Sequence, residues 1–215
     1  MQHLNFDQQA RIFDPALARA VTVLGAGSVG GHVVENLACL GCTDITVWDS
    51  DTVASHNIPM SVYRQERDLM ELKVKALADI VKTKTGTALT TVPRKYEGEA
   101  LKTVTIMCVD DMDERMRIWP RARKNALVGL LVDTRVAAEY IEVFAIRTCN
   151  DDDVAYYEQF LYPSGKANMP LCGWHGAKHV ASTAANVACG SLTEWWRGRI
   201  PNRHYRQLCG YVQQV

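Results

Sequence analysis

An apolar strand running straight into a glycine turn, Val21-Thr-Val-Leu-Gly-Ala-Gly-Ser-Val-Gly30, constrains this chain more than any other stretch. The spacing Gly25-x-Gly27-x-x-Gly30 builds an anion site out of backbone. Gly25 permits a tight turn, Gly27 lets the main chain approach a phosphate, and Gly30 lets the following helix pack closely on the strand. The free N–H groups and positive dipole at that helix's start then face the anion. The next apolar run ends in Val47-Trp-Asp-Ser-Asp51, and Asp49 lies 19 residues past Gly30, about where an acceptor for ribose hydroxyls belongs. A lone glycine loop says little more than Rossmann-like. The Asp49-x-Asp51…Ser55-His-Asn57 continuation says more.

Hydrophobic periodicity surrounds this turn with alternating elements. Short apolar or β-branched runs predict strands at 20–24, 44–48, 88–92, 104–109, 130–133 and 140–147. Helical spacing predicts helices at 28–40, 68–83, 113–127 and an Ala-rich 175–197, with a short one at 154–161. Strands alternating with helices give the expected fold class, an α/β Rossmann-like doubly wound sheet, mostly parallel, with helices on both faces. Residues 140–147 suit a C-terminal antiparallel extension. The whole of 1–215 reads as one domain, interrupted by a long irregular loop at 148–171. Its Asp151-Asp-Asp153 is expected to be a solvated loop or helix N-cap rather than a metal site.

Charge and composition narrow the function. Lys+Arg and Asp+Glu balance at 24 each, so no net field points to nucleic acid or an anionic membrane. No signal peptide and no uncharged apolar span are evident, so a soluble, cytoplasmic protein is expected. Seven scattered cysteines without a secretion signal argue for reduced thiols. Cys39 and Cys42 form a C-x-x-C without a second ligand pair and read as small buried residues. Trp174, Trp195 and Trp196 read as packing residues.

Two further pieces bear on chemistry. Lys73 and Lys75 lie on the helix after the His-Asn segment. Cys108-Val-Asp-Asp-Met-Asp-Glu-Arg115 follows a buried strand, placing its acids at the strand's C-terminal end, the ligand edge of an open parallel sheet. Glycine loop, lysine and aspartate converging there suit a nucleoside triphosphate with magnesium.

With these motifs in order, the chain resembles the ThiF-type adenylyltransferases related to ubiquitin-activating enzymes. Asp49-Ser-Asp51-Thr-Val53-Ala-Ser-His-Asn57-Ile58, Lys73-Val-Lys75-Ala76 and Asp110-Asp111-Met-Asp-Glu-Arg115 match three of the family's elements after the glycine loop. Cys172-Gly-Trp-His-Gly176 and Gly190-Ser-Leu192 look like its Cys-x-x-x-Gly segment and last core helix. The resemblance covers roughly residues 8–198, closest to small bacterial or phage members. It implies ATP and Mg²⁺ as cofactors, with Gly25, Gly27 and Gly30 around the phosphates and Asp49 on the ribose. Asn57 and Lys75, the latter at the reactive position, would contact phosphates; Asp110 would hold Mg²⁺. Arg11 would reach into a partner protomer's site, which implies a homodimer. Cys172, after the irregular loop and three residues from His175, is a nucleophile or a structural thiol.

The activity implied is ATP-dependent adenylation of the C-terminal carboxylate of a small ubiquitin-like or sulfur-carrier protein, with acyl transfer to a cysteine as a second step. The chain departs from the family at Met60-Ser61, where an Arg-Gln is usual; Arg64 or Arg67 are candidates to substitute. The family's frequent paired zinc C-x-x-C motifs are missing. Two other classes remain open: a nicotinamide-dependent oxidoreductase, which leaves Asn57, Lys75 and Asp110…Arg115 without purpose, and a non-catalytic nucleotide-binding partner subunit.

Overall fold

The central strands of the sheet are buried along almost their whole length because helices cover both of its faces. The computed structural model describes residues 4–166 and 177–209. Strand β1 (Val21–Leu24) runs into α1 (Ser28–Cys39), then β2 (Ile45–Trp48), a 3₁₀ turn at Ser55–Met60, the short α2 (Gln65–Asp68) and α3 (Lys73–Thr85). There follow β3 (Thr90–Val92), β4 (Val104–Met107), α4 (Met112–Lys124), β5 (Leu130–Ala137), β6 (Tyr140–Arg147), α5 (Asp151–Glu158), α6 (Lys178–Trp196) and β7 (His204–Leu208). The order across the seven-stranded sheet is β3-β2-β1-β4-β5-β6-β7. β1 to β5 are parallel, and β6 and β7 join antiparallel. The doubly wound α/β fold with a C-terminal antiparallel extension, expected from periodicity, is the fold found.

Two cores sandwich the sheet. On one face Val33, Leu37, Leu77, Val81, Ala184 and Leu192 from α1, α3 and α6 pack on Val21, Val23, Val47, Ile106 and Val132. On the other, Ile118, Trp119, Val154 and Tyr157 from α4 and α5 cover Leu24, Met107, Leu131 and Phe144. Both faces being covered explains why β1 and β4 read as unbroken apolar or β-branched runs. Trp196 packs against Phe13 with ring centroids 5.7 Å apart, and Trp195 is half-buried beside Gly129; Trp174 lies outside the described residues.

Four elements differ from those expected. The helix expected from 68 begins at Lys73, because the preceding residues pair with the segment after β2 instead. Thr52 bridges Leu72, Val53 N–H donates to Glu71 O and Met70 N–H donates to Val53 O, with Met70 at φ 68°. Within the 148–171 stretch a helix begins at Asp151, capped by Asn150, whose side chain accepts the Asp153 N–H at 2.9 Å. Asp153 itself is buried and ion-paired to Arg147 at 2.7 Å. The strand expected at 130–133 extends to Ala137 and turns directly into β6 as a hairpin, and β7 was not expected at all.

Candidate nucleotide site

The C-terminal ends of β1, β2 and β4 open onto a cavity of about 380 Å³, within the range of small-molecule sites. Its floor is the glycine turn. Gly25 sits at φ 99°, and a Cβ there would lie 2.6 Å from Cys108 O. A Cβ on Gly30 would lie 2.0 Å from Gly25 O, so only glycine lets α1 start this close to β1. Gly27 is different: a Cβ there meets nothing within 4 Å, so the space above the first turn of α1 is left open. No side chain caps α1, so its first N–H groups are available to an anion.

Asp49 closes one wall. Its Oδ2 accepts the Ala26 N–H at 2.7 Å and its Oδ1 the Asp51 N–H at 2.8 Å, which locks the carboxylate beside the glycine turn. Burial pushes its pKa above the ordinary value, opposed by Lys73 and by those two N–H groups. Each oxygen keeps a lone pair for a ligand hydroxyl. Asn57 and Met60 also line the cavity, and Asn57 Oδ1 accepts the Ala54 N–H at 2.9 Å, shaping the turn.

The two lysines singled out from the sequence sit differently. Lys73, buried, lines the cavity and holds Asp51 at 2.8 Å; Lys75 is exposed and outside the lining. The antiparallel pairing of 51–53 with 70–73 makes Lys73 the first helical residue and aims it inward. Two residues on, about 200° around the helix, Lys75 faces away. The substitutes considered for the missing arginine are also displaced. Arg64 is held by Asp68 and Asp79, both at 2.7 Å, and Arg67 lies beside Asp79; neither lines the cavity.

Asp110 and Asp111 form the opposite rim, at the end of β4. Asp111 caps α4 and accepts Ser164 Oγ–H at 2.6 Å, which holds its carboxyl below the usual range, while Asp110 is exposed to the cavity. Among the described residues no group of three His, Cys, Asp or Glu side chains is arranged to hold a metal ion. Asp110 could serve a divalent cation only as one ligand among others.

Behind the rim lies an ionic network that sequence reading missed. Arg115, 1% exposed, donates from Nε to Asp133 Oδ1 at 2.8 Å and from Nη2 to Val109 O at 2.5 Å and Thr134 O at 2.9 Å. It ties the strand end that carries Asp110 to β5. Asp133 also accepts Arg135 Nε at 2.8 Å and Tyr157 OH at 3.0 Å. Burial opposes its ionisation, but the two guanidinium groups outweigh this and hold the carboxyl below its ordinary pKa. The Asp110…Arg115 spacing was a visible signal; Asp133, inside an apolar run, gave none.

Of the remaining expected residues, Arg11 is exposed and outside the cavity lining, and Cys172 and His175 lie outside the described residues. Cys108 is half-buried at the cavity floor, and burial pushes its thiol up to about 12. Burial likewise raises Cys42, to about 11, and Cys39.

The fold is a Rossmann-like α/β sheet with its cavity at the C-terminal ends of the parallel strands. The ThiF family model matches residues 6–189, and the chain belongs to the ThiF family. Curated proteins gave no match. Among solved structures, PaaA is similar at 15% identity and TM-score 0.70, covering 91% of this chain and 62% of that one. E. coli MccB, solved with ATP, is similar at 13% identity and TM-score 0.68, covering 93% and 63%. E. coli tRNA N6-threonylcarbamoyladenosine dehydratase, TcdA, is similar at 18% identity and TM-score 0.70, covering 90% and 94%. The chain thus spans a little over three-fifths of PaaA and MccB and nearly all of TcdA. No helix among the described residues is long and apolar enough to cross a membrane.

Proposed function

We propose that this protein binds ATP with Mg²⁺ and adenylates the C-terminal carboxylate of a small ubiquitin-like or sulfur-carrier protein, releasing pyrophosphate. The observation that carries the reading is the open space above Gly27 at the uncapped start of α1, flanked by Asp49, Lys73 and Asp110. The α1 N–H groups and the Lys73 ammonium would hold the phosphates, Asp49 the ribose, and Asn57 would donate from its amide. Asp110 would hold the magnesium ion, which neutralises phosphate charge when bound. In this step the chain supplies placement and charge compensation rather than covalent chemistry. The carboxylate oxygen attacks the α-phosphorus, the bond to the bridging oxygen breaks, and pyrophosphate leaves. That MccB has been solved with ATP and with MccA is consistent with a small polypeptide substrate.

A homodimer with Arg11 completing the neighbour's site, and acyl transfer to Cys172, complete the proposal. Both rest on the sequence resemblance. The near-complete mutual coverage with TcdA favours a second reading, a carboxylate on a modified nucleoside of tRNA, which the balanced charge opposes. Calorimetric titration with Mg·ATP and with NADH separates an adenylyltransferase from an oxidoreductase. Exchange of labelled pyrophosphate into ATP, dependent on a carrier protein ending in Gly-Gly and not on tRNA, is the expected result. Binding of NADH in preference to Mg·ATP overturns the reading.

A further inference from the structure

The cavity is rich in carboxylates. Asp49, Asp51, Asp110, Asp111 and Glu114 line it, against Lys73, Lys95 and Arg115 as the lysine and arginine side chains among the described lining residues. Two of these cations are committed. Lys73 is paired with Asp51 at 2.8 Å, and Arg115 is buried among Asp133 and the carbonyls of Val109 and Thr134. Glu114, in turn, is occupied by Arg117 at 3.0 Å from its Nε. Lys95 is exposed, and among the described residues its ammonium makes no hydrogen bond or ion pair.

Its backbone is nonetheless well placed, because both neighbours are anchored. The Arg94 guanidinium lies over the Trp48 ring, 4.9 Å from its centroid. Tyr96 is buried edge-on against the same ring at 5.7 Å, and its hydroxyl donates to Glu99 O at 2.9 Å. Lys95 is thus carried on a pinned segment just past β3, at the cavity wall. Its charge reaches both sides of the opening: it helps to lower the carboxyl of Asp51 on one wall and of Asp111 on the other.

We infer that Lys95 is a nucleotide-binding residue, whose ammonium contacts the phosphates and supplies the uncommitted positive charge that this acidic cavity needs to accept a polyphosphate. The inference deepens the ATP reading and rests on it. A compact, hydrated ammonium on a flexible stem suits a phosphate oxygen as a point charge, and an exposed lysine can swing onto it at little structural cost.

The test compares wild type, Lys95→Met and Lys95→Arg by calorimetric titration with Mg·ATP and with adenosine, each variant first shown to melt like wild type. Lys95→Met should weaken Mg·ATP by about tenfold to a hundredfold, the scale of one charge-assisted hydrogen bond. Adenosine affinity should not change, and Lys95→Arg should recover most of the Mg·ATP affinity. The inference is overturned if Lys95→Met binds Mg·ATP as wild type does, or if adenosine weakens in parallel, which would put Lys95 on the nucleoside. A wild type that binds no Mg·ATP overturns the nucleotide reading itself, and the role of Lys95 with it.

Discussion

Replacing Lys73 by methionine isolates its charge, because methionine keeps most of the apolar stem that packs at the start of α3. Two unit charges about 4 Å apart interact by about 4 kcal/mol at an effective dielectric constant near 20. Asp51 competes for the same ammonium at 2.8 Å, so the net loss toward phosphate should fall to about 2.7 kcal/mol, or about a hundredfold in affinity. The fold should tolerate the change. The Asp51 side chain is 62% exposed, so the ion pair contributes at most about 1 kcal/mol to stability. Calorimetric titration with Mg·ATP, paired with a thermal melt, reads both quantities. Lys75→Met, on the exposed face of the same helix, is the control and should bind as wild type. If Lys75→Met loses affinity and Lys73→Met does not, Lys75 is the site lysine and the role of Lys73 is refuted.

Other substitutions probe the frame of the site. Asp133→Asn leaves buried Arg115 without its carboxylate and Arg135 with Glu142 alone, and should cost about 3–5 kcal/mol in urea denaturation; a loss under about 1 kcal/mol would refute the network's role. Gly30→Ala should destabilise by about 1–3 kcal/mol or more because its Cβ would meet Gly25 O at 2.0 Å. Gly27→Val has open space and should melt like wild type while abolishing Mg·ATP binding; binding that persists would remove the phosphates from this turn. Burial first, then the charge of Lys178, lowers the pKa of His32 from 6.5, so the unfolded chain takes up the proton before the folded one. Its contribution to stability is complete above 6.5 and should fall as the pH drops below 6.5 toward the lowered folded value. His32→Gln should flatten the melting-temperature profile as the pH falls below 6.5, and an unchanged slope would count against it.

What could be read directly from the chain was whatever depends on neighbours in sequence. The glycine turn, Asp49 and the strand–helix alternation were legible, because turn sterics and burial periodicity are local properties written over a few residues. The lysine was not. Lys73 and Lys75 have equivalent local surroundings, and only the pairing of 51–53 with 70–73 sets where α3 starts and which ammonium enters the cavity. β7, His204-Tyr-Arg-Gln-Leu208, carries no apolar run; it is a strand because β6 offers it an edge and Glu142 accepts from Arg206 at 2.8 Å. Arg115 and Asp133 stand 18 residues apart, and a charge buried in an apolar strand is intelligible only once α4 has laid a guanidinium against it. Local chemistry thus named the class of site, and tertiary contacts between distant segments chose which charges occupy it, since a buried charge is held by partners that the linear chain does not place beside it.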